Sequence, residues 1–531
     1  MIAPTRATLL AATTALILTA CGGAPGPSIP TPVNGFNPAD RVVIGDFSRV
    51  LAIASAQDRV YVVFPDAVAY WLPLERRWDV PRTPPTPTAL RGVNQAIVDP
   101  VDRSLWLAAG VQWIHYDPLP NRWDQGALPA PAEAIALEGS NPGAGVWYRT
   151  ASGWVSVPRV GGFAAPAPPP RNPRYAPTVD DAMRDLPQLR GLAPHVALGP
   201  RMTQGQLTAA APDPQGNGWF LGTSTRGLVF FDRTASDARP IPLGLRGEAI
   251  GAITATAEGI WVETDADLRH AAALTRLAPD LSSSLDVAGS ATTGLPFNLA
   301  RQVAIDGAAI WLATDQGAVR VSSNGGDVAR FGATNGLADD RVFTIATHRG
   351  AVVAGTMHGL SVAHGDSGFR RPIPTYTDPV YSLLSRGDTL WVGTAHGLFA
   401  WMPGTDQLQI AEGYRILDAA NTPILGIGYV ADTMVVMTPD RLVWRSPVSG
   451  GWTEGPVLSG TLGSLQAFAA TNDGVWLGGP GGVGLVRPMT PPLRVLLAPS
   501  QIPDQVTAIA VRDDYLWIGT RRGLVRYLLE R

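Results

Sequence analysis

Two histidines, His358 and His396, occupy the same place in consecutive copies of one short phrase, T-M-H-G and T-A-H-G. A repeated imidazole is where metal binding or proton transfer is first sought. In other copies the same turn carries Arg226, Gln316, or the pair Arg521 and Arg522. Polar residues thus vary inside a constant frame, and these six make the candidate binding face. Metal ligation is not expected of the two histidines, because a zinc–nitrogen bond is about 2 Å long whereas layers of sheet stand roughly 10 Å apart. Solvent-facing turn residues are the expectation. The seven histidines form no H-E-x-x-H, and no G-x-S-x-G elbow, phosphate loop or paired-carboxylate motif occurs. All 41 residues counted as Lys or Arg are Arg, which excludes lysine Schiff-base chemistry. Neither a catalytic residue nor a cofactor is assigned.

The elements that must hold these residues are visible in the last stretch of the chain, Y-L-W-I-G-T-R-R-G-L-V-R-Y over residues 515–527. Two short apolar runs flank a Gly-bearing turn, the signature of a β-hairpin. Trp517, Gly519, Gly523 and Leu524 read as frame, Arg521 and Arg522 as the variable content. The phrase recurs around Trp219, Trp311 and Trp391. Aligning the first large residue of each copy gives eleven anchors: Tyr61, Trp106, Trp147, Trp219, Trp261, Trp311, Val353, Trp391, Val435, Trp476 and Trp517. Their spacing is 38 to 50 residues except for one step of 72. A period of about 40 to 50 residues belongs to four-stranded propeller blades. The expected fold is therefore all-β, a β-propeller of about eleven four-stranded blades over residues 41–531. The repeated tryptophans are expected to wedge between blades.

The last blade lacks a fourth strand, and R-V-V-I-G-D-F at 41–47 is an apolar strand left over at the start. The expectation is that it completes the last blade and removes two open sheet edges. Eleven blades exceed the four to eight usual for one ring. Two packed rings are favoured, the middle of the chain forming one and both ends meeting in the other, with a single large ring as the alternative. Residues 161–200 are a Pro-rich insertion in which Thr178 and Asp181 suggest a capping box opening a short helix.

The phrase G-L-x-x-x-x-V-x-x-I…L-W-I-G-T-x-x-G-L-x-x-Y resembles the two-component regulator propeller repeat. Its best copies are residues 336–363, 381–401 and 502–527. The resemblance implies sensory propellers, in paired rings, that bind extracellular ligands, often glycans, ahead of a membrane helix and kinase. No second apolar spanning run, kinase block or DNA-binding domain occurs in the 531 residues.

The start of the chain carries a different signal. Residues 1–20 have one early Arg and then a small apolar run, ending L-T-A-C at Cys21, the only cysteine. The run is too short to span and remain, so it reads as an export signal. Its ending resembles the lipobox of bacterial lipoproteins, which implies lipidation of Cys21. Gly22 after the cysteine leans towards the outer membrane. Residues 21–40, rich in Gly and Pro, read as a flexible tether. With 16% charged residues and a net charge of −3, nucleic acid is not expected as a partner. The expected protein is a lipid-anchored envelope module binding a glycan, peptide or envelope protein. An envelope lyase or hydrolase is the alternative, with His348 and Arg341 at the central funnel, and an envelope scaffold is another.

Overall fold

The computed structural model describes residues 37–531 apart from 87, 140–143, 200–201, 269, 288–294, 308, 324–326, 366–367, 403–407, 411–421, 489–493 and 530–531. The expected signal segment, Cys21 and most of the expected tether lie outside the described residues. The chain is all-β, built from antiparallel sheets in which each strand pairs with the next. This is β-propeller architecture. Among the described residues there are eleven sheets, nine with four strands, one with three and one with five. All eleven anchor residues fall in the second strand of a sheet, for example Trp311 in Ala309–Thr314 and Trp517 in Tyr515–Thr520. Those strands are apolar on both faces because each sheet is covered on both sides, and Trp261, Trp311 and Trp517 are buried.

The innermost strands establish how the sheets follow one another. From the fifth sheet onwards they are Ile250–Thr256, Ala300–Asp306, Val342–His348, Val380–Arg386, Gly426–Val430, Ala467–Thr471 and Val506–Arg512. Each packs against the next, and the last packs against the first. The strand Arg41–Ile44, here β1, adds to the eleventh sheet, with Arg41 opposite Tyr527 and Ile44 opposite Leu524. The other four sheets form a separate series, in which Leu207–Pro212 packs on Ala52–Ser55, that on Val93–Val98, and that in turn on Ala132–Glu138. The division therefore falls near residue 245 and not between the chain's middle and its two ends. Among the described residues, β1 is the one strand of the N-terminal part that pairs within the later seven sheets.

The insertion acts at the two free ends of this four-sheet series. Pro173–Tyr175 pairs with the inner strand Ala132–Glu138. Helices α1 (Val179–Asp185) and α2 (Leu189–Val196) cover the other end. There Ala182, Leu186, Leu189 and Val196 share a core with Trp219, Leu221 and Phe231. Thr178 and Asp181 cap α1 reciprocally. A core containing Phe47, Phe64, Trp78, Phe220, Ile260 and Trp517 joins the two series.

Candidate ligand-binding site

The T-x-x-G turn is a repeated hydroxyl-centred structure. Thr223, Thr314, Thr356, Thr394 and Thr520 are fully buried. Each donates its hydroxyl to the carbonyl of the turn glycine, at 2.6 to 3.0 Å. Each also accepts from the backbone N–H of the residue just before the glycine, namely Arg226, Gln316, His358, His396 or Arg522, the Thr223 turn being one residue longer than the others. The glycine itself has positive φ, +99° at Gly359 and +109° at Gly523, which a side chain would strain. The first turn residue is fixed equally well. The N–H groups of Asp265, Asp315, Met357, Ala395 and Arg521 each donate to the carbonyl just ahead of the inner strand.

His358 and His396 each turn towards an aspartate in their own blade's lead-in loop. Nδ1 of His358 lies 2.8 Å from Asp339, and Nδ1 of His396 lies 3.3 Å from Asp378. Both imidazoles are exposed, so these are surface pairs of small energetic weight. Partial burial would raise the Asp339 carboxyl, but the Arg341 amide and His358 outweigh it and hold it below its ordinary range. Among the described residues no group of three or more His, Cys, Asp or Glu could hold a metal ion. Gln316, His358, His396, Arg521 and Arg522 all belong to the seven-sheet series. Arg226 does not. Its turn belongs to the fourth sheet, where it lines a small cavity with Phe47, Arg246 and Asp286 at the junction of the two series.

His348 and Arg341 do not converge. They stand at opposite ends of the inner strand Val342–His348, since Val342 pairs with Thr356 and His348 with Ala351. Seven residues of strand separate them, on the order of 20 Å. His348 is buried, its Nδ1 is 2.8 Å from the Ser385 hydroxyl, and its ring centroid is 6.4 Å from that of Trp401. Burial and the neighbouring Arg349 hold its pKa below the ordinary imidazole value.

What does converge at the turn end is a row of side chains at the second position of the inner strands. In five of the seven strands the register slips there, between Ile250 and Ala252, Ala300 and Gln302, Val342 and Thr344, Val380 and Ser382, and Val506 and Ala508. Such a β-bulge re-aims the extra residue. The residues concerned are Gly251, Arg301, Phe343, Tyr381 and Thr507. The Phe343 and Tyr381 rings lie 5.2 Å apart, and the Arg301 guanidinium lies 5.2 Å from the Phe343 centroid. Thr507 bridges to the Ile250 carbonyl at 2.6 Å. All of these rings and guanidiniums are at least partly exposed.

Where this row lacks a side chain, carboxyls crowd in. A Cβ on Gly251 would lie 2.4 Å from Glu263 Oε2, 2.4 Å from the Ala300 carbonyl and 2.6 Å from Asp265 Oδ1. Glu263 is fully buried, and neither of its oxygens accepts a hydrogen bond of normal geometry. Burial first, then Asp265, hold its carboxyl well above the ordinary range and so favour its uncharged form. Asp265 is pushed up to about 6 by burial, even though Arg301 and Arg521 favour its charged form. The bulge row, Glu263 and Asp265 were not singled out in the sequence. The available signal was a bulky or charged residue directly after the first apolar residue of an inner strand, as in V-F-T, V-Y-S and A-R-Q.

No family model and no curated protein matches the chain. Among solved structures it is similar to the extracellular domain of the putative one-component system BT4673 from B. thetaiotaomicron, at 11% identity and a TM-score of 0.43, covering 91% of this chain and 71% of that one. It is also similar to PorZ, a surface component of the type-IX secretion system of Porphyromonas gingivalis, at 12% identity and a TM-score of 0.45, over 90% and 68%. Virginiamycin B lyase from Staphylococcus aureus is similar over 54% of this chain and 96% of its own, at 13% identity and a TM-score of 0.42. These are likenesses of chain path. Among the described residues no helix is long and apolar enough to cross a membrane.

Proposed function

We propose that this protein is a non-enzymatic binding or sensory module of the bacterial cell envelope, a β-propeller held by a lipid on Cys21 after removal of residues 1–20, with 21–40 as its tether. The later seven sheets are read as one closed ring and the first four as an open arc packed against it. The ligand site is the turn end of the ring, where Thr507, Gly251, Arg301, Phe343 and Tyr381 stand in a row on consecutive blades. The observation that carries this reading is that row itself. Different side chains are set by one repeated bulge onto one opening, beside a turn frame whose buried threonines do not change. A rigid scaffold presenting variable residues is how propeller-like folds build recognition sites. The enzyme alternative loses its named residues, because His348 is packed between blades at the far end of its strand from Arg341.

Protein lacking residues 1–21, screened by thermal shift against envelope glycans and peptides, is expected to respond to at least one class. Phe343→Ala with Tyr381→Ala should abolish that response while leaving the unliganded melting temperature nearly unchanged. A response that survives both changes would move the site elsewhere. Cys21→Ser is expected to release the full-length protein from the membrane fraction.

A further inference from the structure

The ring's opening holds groups of both signs, but their hydrogen-bonding capacity is used unequally. The acceptors are largely engaged. Asp315 accepts from the amides of Asn298 and Leu299, at 3.2 and 3.3 Å. Asp265 accepts from the Ala300 amide at 3.3 Å and lies beside the buried Glu263. The donors are not engaged. Among the described residues, neither Arg301 nor Arg521 has a carboxylate or carbonyl partner for its guanidinium, and the Tyr381 hydroxyl has no partner either. An arginine offers five N–H donors in a planar fork that fits a carboxylate two at a time. The two arginines flank the fifth blade, one from the eleventh sheet's turn and one from the sixth sheet's bulge. Between them the bulge position is Gly251, which adds no side chain of its own beside the Glu263 and Asp265 carboxyls. The Arg301 guanidinium lies over the Phe343 ring, and Phe343 and Tyr381, tilted 49° to each other, add an apolar surface on the next two blades.

We infer that the ring's opening binds a ring-shaped ligand bearing a carboxylate, its anion held between Arg301 and Arg521 and its ring lying on Phe343 and Tyr381. This rests on the reading of the ring's opening as the ligand site and adds the ligand's chemical class. The arrangement also ties binding to protons. The groups facing Asp265 are Glu263, Asp315, Arg301 and Arg521. An anion seated over Gly251 engages the two guanidiniums that favour the charged Asp265, and it adds a like charge. Both effects favour the protonated acid, so binding takes up a proton and affinity rises as pH falls from 7.5 towards 5.5.

Isothermal titration of the protein without residues 1–21 tests this with three probes: a short oligogalacturonate, its neutral oligogalactose counterpart, and benzoate. The expected result is that oligogalacturonate or benzoate binds at least tenfold more tightly than oligogalactose, the two acids separating a sugar source from an aromatic one. Arg301→Gln and Arg521→Gln should each weaken acid binding about tenfold or more, with Arg301→Lys retaining part of it. Asp265→Asn should flatten the rise in affinity at low pH. Equal binding of neutral and acidic probes, unchanged by the arginine variants but lost in Phe343→Ala, overturns the inference while the binding-site reading stands. Silence from all three probes at millimolar concentration overturns the inference, and with Phe343→Ala also indifferent to the glycan and peptide screen the binding-site reading falls with it.

Discussion

The seven-sheet and four-sheet series are made of the same unit and end in opposite ways. In the seven-sheet series the last inner strand meets the first, and the incomplete eleventh sheet is finished by β1, borrowed from the other end of the chain. The four-sheet series is finished at one end by a short strand from the Pro-rich insertion and at the other by a pair of helices. A blade buries its faces only against neighbours. A series must therefore either return to its start or be capped, and this molecule does one of each. The difference also places the proposed site, since a closed series gathers its turn ends around one opening and a capped series does not.

The sharpest way to break the comparison is to disrupt the closure. Val43 in β1 is buried opposite Val525. Val43→Asp leaves an unpaired charge there and is expected to destabilise the protein by about 4 kcal/mol or more. Denaturant unfolding gives the size, and hydrogen exchange should show the eleventh and fifth sheets opening first. Leu189→Ala attacks the capped series instead, removing a fully buried side chain from α2. About 3 kcal/mol is expected, with exchange rising in the fourth sheet and not in the seven-sheet series. If both variants open the same sheets, the two series are one cooperative unit and the comparison fails.

Smaller effects sharpen it. Thr356→Val removes the hydroxyl that serves both the Gly359 carbonyl and the His358 amide. It should cost about 2 kcal/mol and lower affinity at the ring's opening without altering the arc. The smallest effect is expected at the junction between the series. Nε2 of His270 lies 3.1 Å from Asp46 and Nδ1 lies 3.0 Å from Asp267. The two aspartates, Asp46 first, raise its pKa from the ordinary 6.5 to about 9. A raised cation pKa adds stability that is complete below the ordinary imidazole value and fades as pH rises through about 9. The stability difference between wild type and His270→Gln should therefore shrink between pH 7 and 10. Because the site is partly solvated, 0.5 M salt should reduce it as well.

Much of the frame was legible because each element depends on local pattern. The tryptophan anchors, the Gly-bearing turns and the orphan strand 41–47 announce themselves within a dozen residues. What was not legible depends on neighbours distant in sequence. Arg226 closes a turn one residue longer than that of Arg522 and faces the junction, because the inner strand of the fourth sheet packs on that of the first. His348 looked available for chemistry until Ser385 and Trp401 of the following blade closed over it. A bulge is one surplus residue in an otherwise regular pairing, so Phe343 and Arg301 read as flaws in alternation until the partner strand is known. Glu263 is harder still. Its sequence neighbours Trp261, Val262 and Thr264 make an ordinary strand, and only its burial beside Gly251 reveals a carboxyl held above its ordinary range.

The manner in which β1 is fastened also determines where mechanical load would travel. If residues 21–40 act as the proposed tether, a pull along them meets its first buried charged anchor at Arg41. That residue is buried, and its guanidinium donates to the Gln501 carbonyl at 2.8 Å and to the Pro84 and Pro85 carbonyls at 3.1 Å. Just before it, the Asn37 amide donates to the Tyr527 hydroxyl at 3.2 Å. Tension would thus be shared at Asn37 and Arg41 between the eleventh sheet, the loop ahead of its inner strand and the loop after the first sheet, before it reaches the ladder between β1 and Gly523–Leu528. Arg41 serves as a strain relief, as on a cable where it enters its housing.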